Sequence, residues 1–246
     1  MDYSMLAISA AVTLVAAALT VPAGFGLATM LTPVVLLLLP PHEAIAVVAL
    51  IHAAHNAWKL KVLRTSVDLS ALKHYGWAMV IGALIGASLN SFIDPNPLLL
   101  IVGIALVILP LLSISEKWTN FRIPEAEDRL GGFGSGLLGG LTGHQGALRA
   151  MFLQNRLPDK TAYAATAAVL ALVVDLSRIP VYLFRDHSVI NENWILIVVL
   201  VLCAIIGVQI GKRWLNKWKN NTIRGIILSG IVASGLLYIF EAAKEL

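Results

Sequence analysis

Arg149 stands seven residues from any other formal charge, at the end of the string GLTGHQGALR. A guanidinium in an apolar stretch is costly unless it faces a partner or an aqueous cavity, so it marks a site by default. Just before it, Gly143, His144, Gln145 and Gly146 form a break where freed backbone N–H groups and the positive end of the next half-helix would face an anion. Arg149 falls one turn inside that half-helix. An anion with several oxygens would find backbone donors, Gln145, His144 and a bidentate guanidinium in one place. The competing reading gives the glycines a packing role and sends Arg149 to the lipid headgroups.

Two other groups of residues carry charge or protons. Asp175 and Arg178, in VVDLSRIPVY, are spaced i, i+3 and share a helix face, where they can neutralise each other. They read either as a buried pair that orients two helices or as a gating or proton-linked pair. His52, His55, Asn56 and Lys59 follow i, i+3, i+4, i+7 and so make one polar face on an apolar helix. Proton relay, substrate contact and an interhelical hydrogen bond all stay open for that face. A metal is not expected, because no carboxylate or Cys accompanies the His pair. Ser135, flanked by Gly134 and Gly136 with His144 nearby, has the residue types of a nucleophile. No strand-turn-helix elbow frames it, and a glycine-rich run produces such matches by chance.

The elements that hold these residues are membrane helices. Of 246 residues, 58% are apolar and 13% charged, whereas a soluble domain averages about 25% charged. That balance excludes a soluble enzyme. Residues 3–42, 74–93, 95–115, 130–148, 193–211 and 225–240 contain no Asp, Glu, Lys or Arg, and a spanning helix needs about 20 apolar residues. The fold class is therefore an all-α polytopic membrane protein, one transmembrane domain over 1–246. The net charge of +4 speaks to orientation in the bilayer and not to nucleic acid. Cys203 is the single cysteine, so no disulfide framework or Cys-based metal site is expected. MDYSMLAISA lacks the basic region of a cleaved signal peptide and is expected in the mature chain.

The first run, 40 residues, would make a straight helix of about 60 Å, twice the hydrocarbon thickness. Pro22, Gly24 and Gly26 break it, giving a hairpin with arms over 4–21 and 25–39. Helices are expected near 43–60, 72–93 and 97–115, then a polar loop, SEKWTNFRIPEAEDR, at 115–129. The second half repeats the plan. Eight of the sixteen residues in 131–146 are Gly, each costing about 1 kcal/mol against Ala in a helix, so a continuous helix is not expected there. Helices follow near 161–184, 192–213 and 223–241. Pro41 and Pro158 each start the helix after the broken segment, and Gly82-x-x-x-Gly86 recurs as Gly207-x-x-x-Gly211, a spacing that lets helices pack closely. Repeat 1 is thus 1–115, the loop 116–129, and repeat 2 is 130–246. The Trp residues mostly flank the apolar runs, as interfacial anchors do.

Basic residues collect in cytoplasmic loops. If every segment crosses once, nine fall on one side and seven on the other; if 131–153 enters and returns, the division is fourteen against two. The re-entrant reading makes the halves inverted repeats, each a broken or re-entrant hairpin plus three transmembrane helices, with both termini outside the cytoplasm. Secondary transporters with inverted repeats place broken helices at the midplane around the substrate.

GLLGGLTGHQGALR, the Ala165-Thr166 pair and VVDLSRIPVY together resemble the TauE/SafE family of sulfite exporters, also called TSUP transporters. The resemblance runs over nearly the whole chain and is most specific in 136–182. It implies transport of sulfite, sulfoacetate and related sulfur-containing organic anions across the bacterial cytoplasmic membrane, with Gly143, His144, Gln145, Gly146 and Arg149 at the family's second-half motif and Asp175 and Arg178 on the adjoining helix. The first half departs from the family's glycine-rich run leading to Pro: here it reads Gly24-Phe25-Gly26-Leu27 through to Pro33. The expected function is export of a small sulfur oxyanion by alternating access, with substrate contacts from these seven residues and His52, His55 and Asn56. An importer or exchanger of another organic anion, a channel, and a membrane enzyme acting through Ser135 are the alternatives. Expected partners are the small anion and the bilayer, with a homodimer compatible and no nucleic acid; no cofactor is expected.

Overall fold

A computed structural model describes residues 3–119, 128–153, 156, 157, 159–215 and 220–244. Among them the regular elements are helical throughout: α1 (Tyr3–Ala23), α2 (Leu27–Leu36), α3 (Pro41–Leu63), α4 (Leu69–Asn90), α5 (Pro95–Thr119), α6 (Asp128–Thr142), α7 (Gly146–Leu153), α8 (Lys160–Arg185), α9 (Ser188–Trp214) and α10 (Asn220–Lys244). Local signals set several ends. Pro41 opens α3, where a missing N–H costs nothing. The carboxylates of Asp68 and Asp159 accept from Ala71 N at 2.8 Å and Ala162 N at 2.7 Å, capping α4 and α8. Pro158, Trp218 and residues 120–127 of the polar loop lie outside the described residues. Among the described residues α1, α8 and α9 are each long and apolar enough to cross a membrane.

The glycine-rich segment corrects the expectation from helix propensity. Residues 128–142 form one continuous helix, and the chain breaks only after Thr142. The reason is packing. Gly132, Gly136 and Gly140, spaced four apart on α6, lie against the backbone of Tyr75, Met79 and Ala83 on α4. From the other side Gly82 and Gly86 lie against the backbone of Phe133 and Leu137. A β-carbon at any of these five positions would fall within 3.0 Å of a backbone atom. In lipid, where apolar side chains gain little by meeting each other, such close approach is a main source of helix association. It offsets the local cost of the glycines.

The same register shows that α4 and α6 run parallel. Gly207 and Gly211 repeat the arrangement against Leu14, Ala18 and Val21, so α9 runs parallel to α1. In contrast α3 crosses α8 antiparallel, with His52 beside Asp175 at one level and Leu63 clustered with Ala164 at another. Antiparallel α5 and α10 meet through Gly103 and Gly235. Finally α7 folds back along α6, Phe152 against Gly131 and Leu148 against Gly134, and an Arg156–Asp128 ion pair ties the open end of this hairpin.

Gly136→Ala is expected to cost about 1–3 kcal/mol, as overpacking does, and to lower the Tm of the detergent-solubilised protein. Gly230, with nothing within 4 Å of a new β-carbon, is expected to accept Ala neutrally or with a gain of up to about 1 kcal/mol. Equal Tm values for the two variants would contradict the packing role.

Candidate functional site

Two chain breaks meet at the centre of the bundle. Gly24 (φ 81°) and Gly26 (φ 112°) turn the chain between α1 and α2, and Gly143 (φ 87°) does so between α6 and α7. Left-handed backbone of this kind is cheap only for glycine. The tips touch, because a β-carbon on Gly146 would sit 2.8 Å from Phe25 Cβ.

The second break is held by side chains that finish α6. The last carbonyls of a helix lack intrahelical donors. Here Gly139 O accepts from Arg178 Nη1 at 2.8 Å, Gly140 O from the Tyr182 hydroxyl, and Leu141 O from Asn90 Nδ2 at 2.7 Å. A guanidinium at this negative end of the helix dipole is favourable. Ser135 Oγ donates to Gln145 O at 2.9 Å, closing the hairpin from inside. That hydroxyl is fully buried and committed to the backbone.

Arg178 is neutralised on its own helix. Its Nε and Nη2 donate to Asp175 Oδ1 at 3.1 and 2.8 Å, and Asp175 Oδ2 bonds His52 Nδ1 of α3 at 2.7 Å. Asp175 and Arg178 have no exposed surface. The i, i+3 pair read from the sequence is thus a three-membered bridge between α3 and α8, and its third member, His52, lies 123 residues from Asp175.

Arg149 is treated differently. It is 1% exposed, yet its bonds are long ones to neutral oxygens, Nη1 to Gln145 Oε1 at 3.4 Å and Nη2 to Gly24 O at 3.5 Å. Such lengths are weak. Among the described residues its Nε has no hydrogen-bond partner, nor does Gln145 Nε2 or either ring nitrogen of His144. Asp175 lies within electrostatic range of Arg149 but is already bonded to Arg178 and His52. A buried cation and buried donors without acceptors are rare in folded proteins. Chemically, such groups can donate hydrogen bonds to an oxyanion.

The polar face of α3 divides. His52 goes to Asp175; His55 Nε2 meets Thr20 Oγ1 at 3.4 Å, its ring stacked 6.4 Å from that of His52. Asn56 Nδ2 donates to His52 O at 2.8 Å, within its own helix. Lys59 is 1% exposed. Among the described residues no group of three or more His, Cys, Asp or Glu gathers to hold a metal ion. In the second-half motif, Thr166 Oγ1 accepts from Asp68 N at 2.9 Å and ties the α3–α4 connection to α8.

A cleft of about 210 Å³ leads from the surface toward the α6 terminus, lined by His42, Glu43, Asn90, Tyr182, Arg185 and Asp186 among others. Its lining includes Tyr182 and Asn90, two of the three residues that cap α6. At its edge the Ser188 hydroxyl and backbone N–H hold the Asp186 carboxyl below the usual carboxylate range. Tyr182 and Asn90 were not among the residues expected at the site. The signal for Tyr182 was available, since it lies one turn after Arg178 in VVDLSRIPVY; nothing near Asn90 in sequence points to α6.

Leaving either charge of the α8 pair alone costs about 3–5 kcal/mol. Asp175→Leu and Arg178→Met are each expected to lower stability on that scale, and the double variant by clearly less than the sum, measured by thermal unfolding in detergent. Additive losses would contradict the coupling.

Residues 9–238 match a family model described as sulfite exporter TauE/SafE. No curated protein matches the chain, and no solved structure does.

Proposed function

The chain belongs to the TauE/SafE sulfite exporter family, a family of membrane transporters, and from that premise we propose that it moves a small sulfur oxyanion, sulfite or a related organosulfonate, outward across the bacterial cytoplasmic membrane. The observation that carries this reading is Arg149, buried at 1% exposure and without a salt bridge to any Asp or Glu among the described residues. The donors of the Gly143 to Gly146 break and Arg149 bind the anion; Asp175, Arg178 and His52 hold the break in place. His55 and Asn56 line the same α3 face and support it.

The mechanism is alternating access between two inverted halves, α1–α5 and α6–α10. Reciprocal packing supports the inversion: the first helix of each half runs parallel to the fourth of the other, while α3 crosses α8 and α5 crosses α10 antiparallel. The fourteen-to-two division of basic residues supports an orientation with the α3–α4, α5–α6, α7–α8 and α9–α10 connections in the cytoplasm and both termini outside. The hairpin α6–α7 then enters from the cytoplasm and α1–α2 from outside, and their tips meet at Phe25 and Gly146. Helix ends at such a midplane junction are where secondary transporters bind their substrates.

Direction follows from the membrane potential. With a negative interior it drives anions outward by about 2.3 kcal/mol per charge per 100 mV, so export needs no coupling ion. Uptake would need one, and His52, bonded to Asp175, is the group placed to carry a proton.

In liposomes at a controlled potential, wild type is expected to carry sulfite with saturable kinetics. Arg149→Ala is expected to lose at least about tenfold, since hydrogen bonds to charged groups are worth about 1.5–3 kcal/mol; Ser135→Ala is expected to stay active. Equal flux in wild type and Arg149→Ala would move the site elsewhere. Flux that never saturates would make the protein a channel, and dependence on the Ser135 hydroxyl for all activity would favour an enzyme.

A further inference from the structure

The chain buries more positive charge than Arg149 alone. Lys59 is 1% exposed, within electrostatic range of Arg149, and no Asp or Glu pairs with it among the described residues. Its position follows from the packing around the first break. Thr20 of α1 lies opposite His55 of α3, and one turn further along these helices come Gly24 and Lys59. Gly24 N bonds Thr20 O at 2.9 Å, which fixes that turn on α1. Val21 of α1 and Leu63 of α3 belong to one apolar cluster with Ala164 of α8. Gly24 O is also where the Arg149 guanidinium ends. Lys59 from the first half and Arg149 from the second are thus buried on different helices within electrostatic range of each other, Arg149 ending at the Gly24 carbonyl.

Counting charge around the junction, Arg178 and Asp175 cancel, whereas Arg149 and Lys59 do not. Two like charges in a medium of low dielectric repel strongly, and each loses its hydration. A ligand bearing two negative charges removes both penalties, whereas a singly charged one leaves a cation over. We propose that Lys59 is the second cation of the transport site and that Lys59 and Arg149 together select a divalent oxyanion, such as the sulfite dianion, over a monovalent sulfonate of similar size. This deepens the transport reading above and rests on it. Lys59 sets the valence of the substrate, while Arg149, with its planar fork and the donors of the second break, serves any oxyanion.

The test compares sulfite with methanesulfonate in liposomes, at a pH where sulfite is mostly divalent, for wild type, Lys59→Gln and Lys59→Arg. Wild type is expected to show a half-saturation constant for sulfite at least about tenfold below that for methanesulfonate, and to move two charges per sulfite by reversal potential. Lys59→Gln is expected to lose that preference, its sulfite constant rising at least about tenfold and its methanesulfonate constant changing less than about threefold; Lys59→Arg is expected to keep the preference. Should Lys59→Gln not fold, thermal stabilisation of wild type in detergent decides instead, sulfite raising Tm well above methanesulfonate at equal concentration. A preference unchanged in Lys59→Gln, or equal stabilisation of wild type by the two anions, overturns the role of Lys59 while leaving anion transport standing. Absence of saturable flux of either anion in wild type overturns the transport reading itself, and this inference with it.

Discussion

A guanidinium in the middle of a helical membrane bundle costs several kcal/mol unless something answers its charge. The chain answers two such groups in opposite ways, and much of the central architecture follows. Arg178 is fixed by Asp175 and donates to a carbonyl at the end of α6, so its charge becomes a structural part. Arg149 is given long contacts to neutral oxygens, so its charge stays available. The first arrangement makes the second possible, because it pins the break from which α7 carries Arg149 into the centre. Tyr182 and Asn90 complete the support by capping the two next carbonyls.

Close helix packing supplies the rigidity this needs. The glycine contacts of α4 with α6 bring backbones together along three turns, and the Gly207 and Gly211 contacts do the same for α9 and α1. Each hairpin is thereby held by a long helix of the opposite half. Arranged in this way, the two tips meet while their supports belong to different halves.

How far the sequence reveals this depends on the range of the interaction. Helix locations were legible from charge-free runs, Pro41 and the glycine breaks, because those signals are local. The pairing of Asp175 with Arg178 was legible for the same reason, being one turn apart. The continuous α6 was not, because the helix propensity of Gly counts the local cost and the compensating contact comes from Tyr75, Met79 and Ala83 more than fifty residues away. His52 was visible as part of a polar face, yet its partner across α8 was not. Asn56 illustrates the converse: it shares that face by periodicity but spends its amide on its own helix. Lys59 completed the same pattern, and that no Asp or Glu pairs with it among the described residues emerges only from the packing.

Direct location of a bound anion is the most decisive measurement. Crystals grown with selenite, an analogue of sulfite whose selenium scatters anomalously, would report its position without any variant. A single strong peak within hydrogen-bond distance of the Arg149 guanidinium, beside Gly24 and the Gly143 to Gly146 break, is the expected result. A peak elsewhere, with the Arg149 position empty in protein that still transports sulfite, would contradict the site described above.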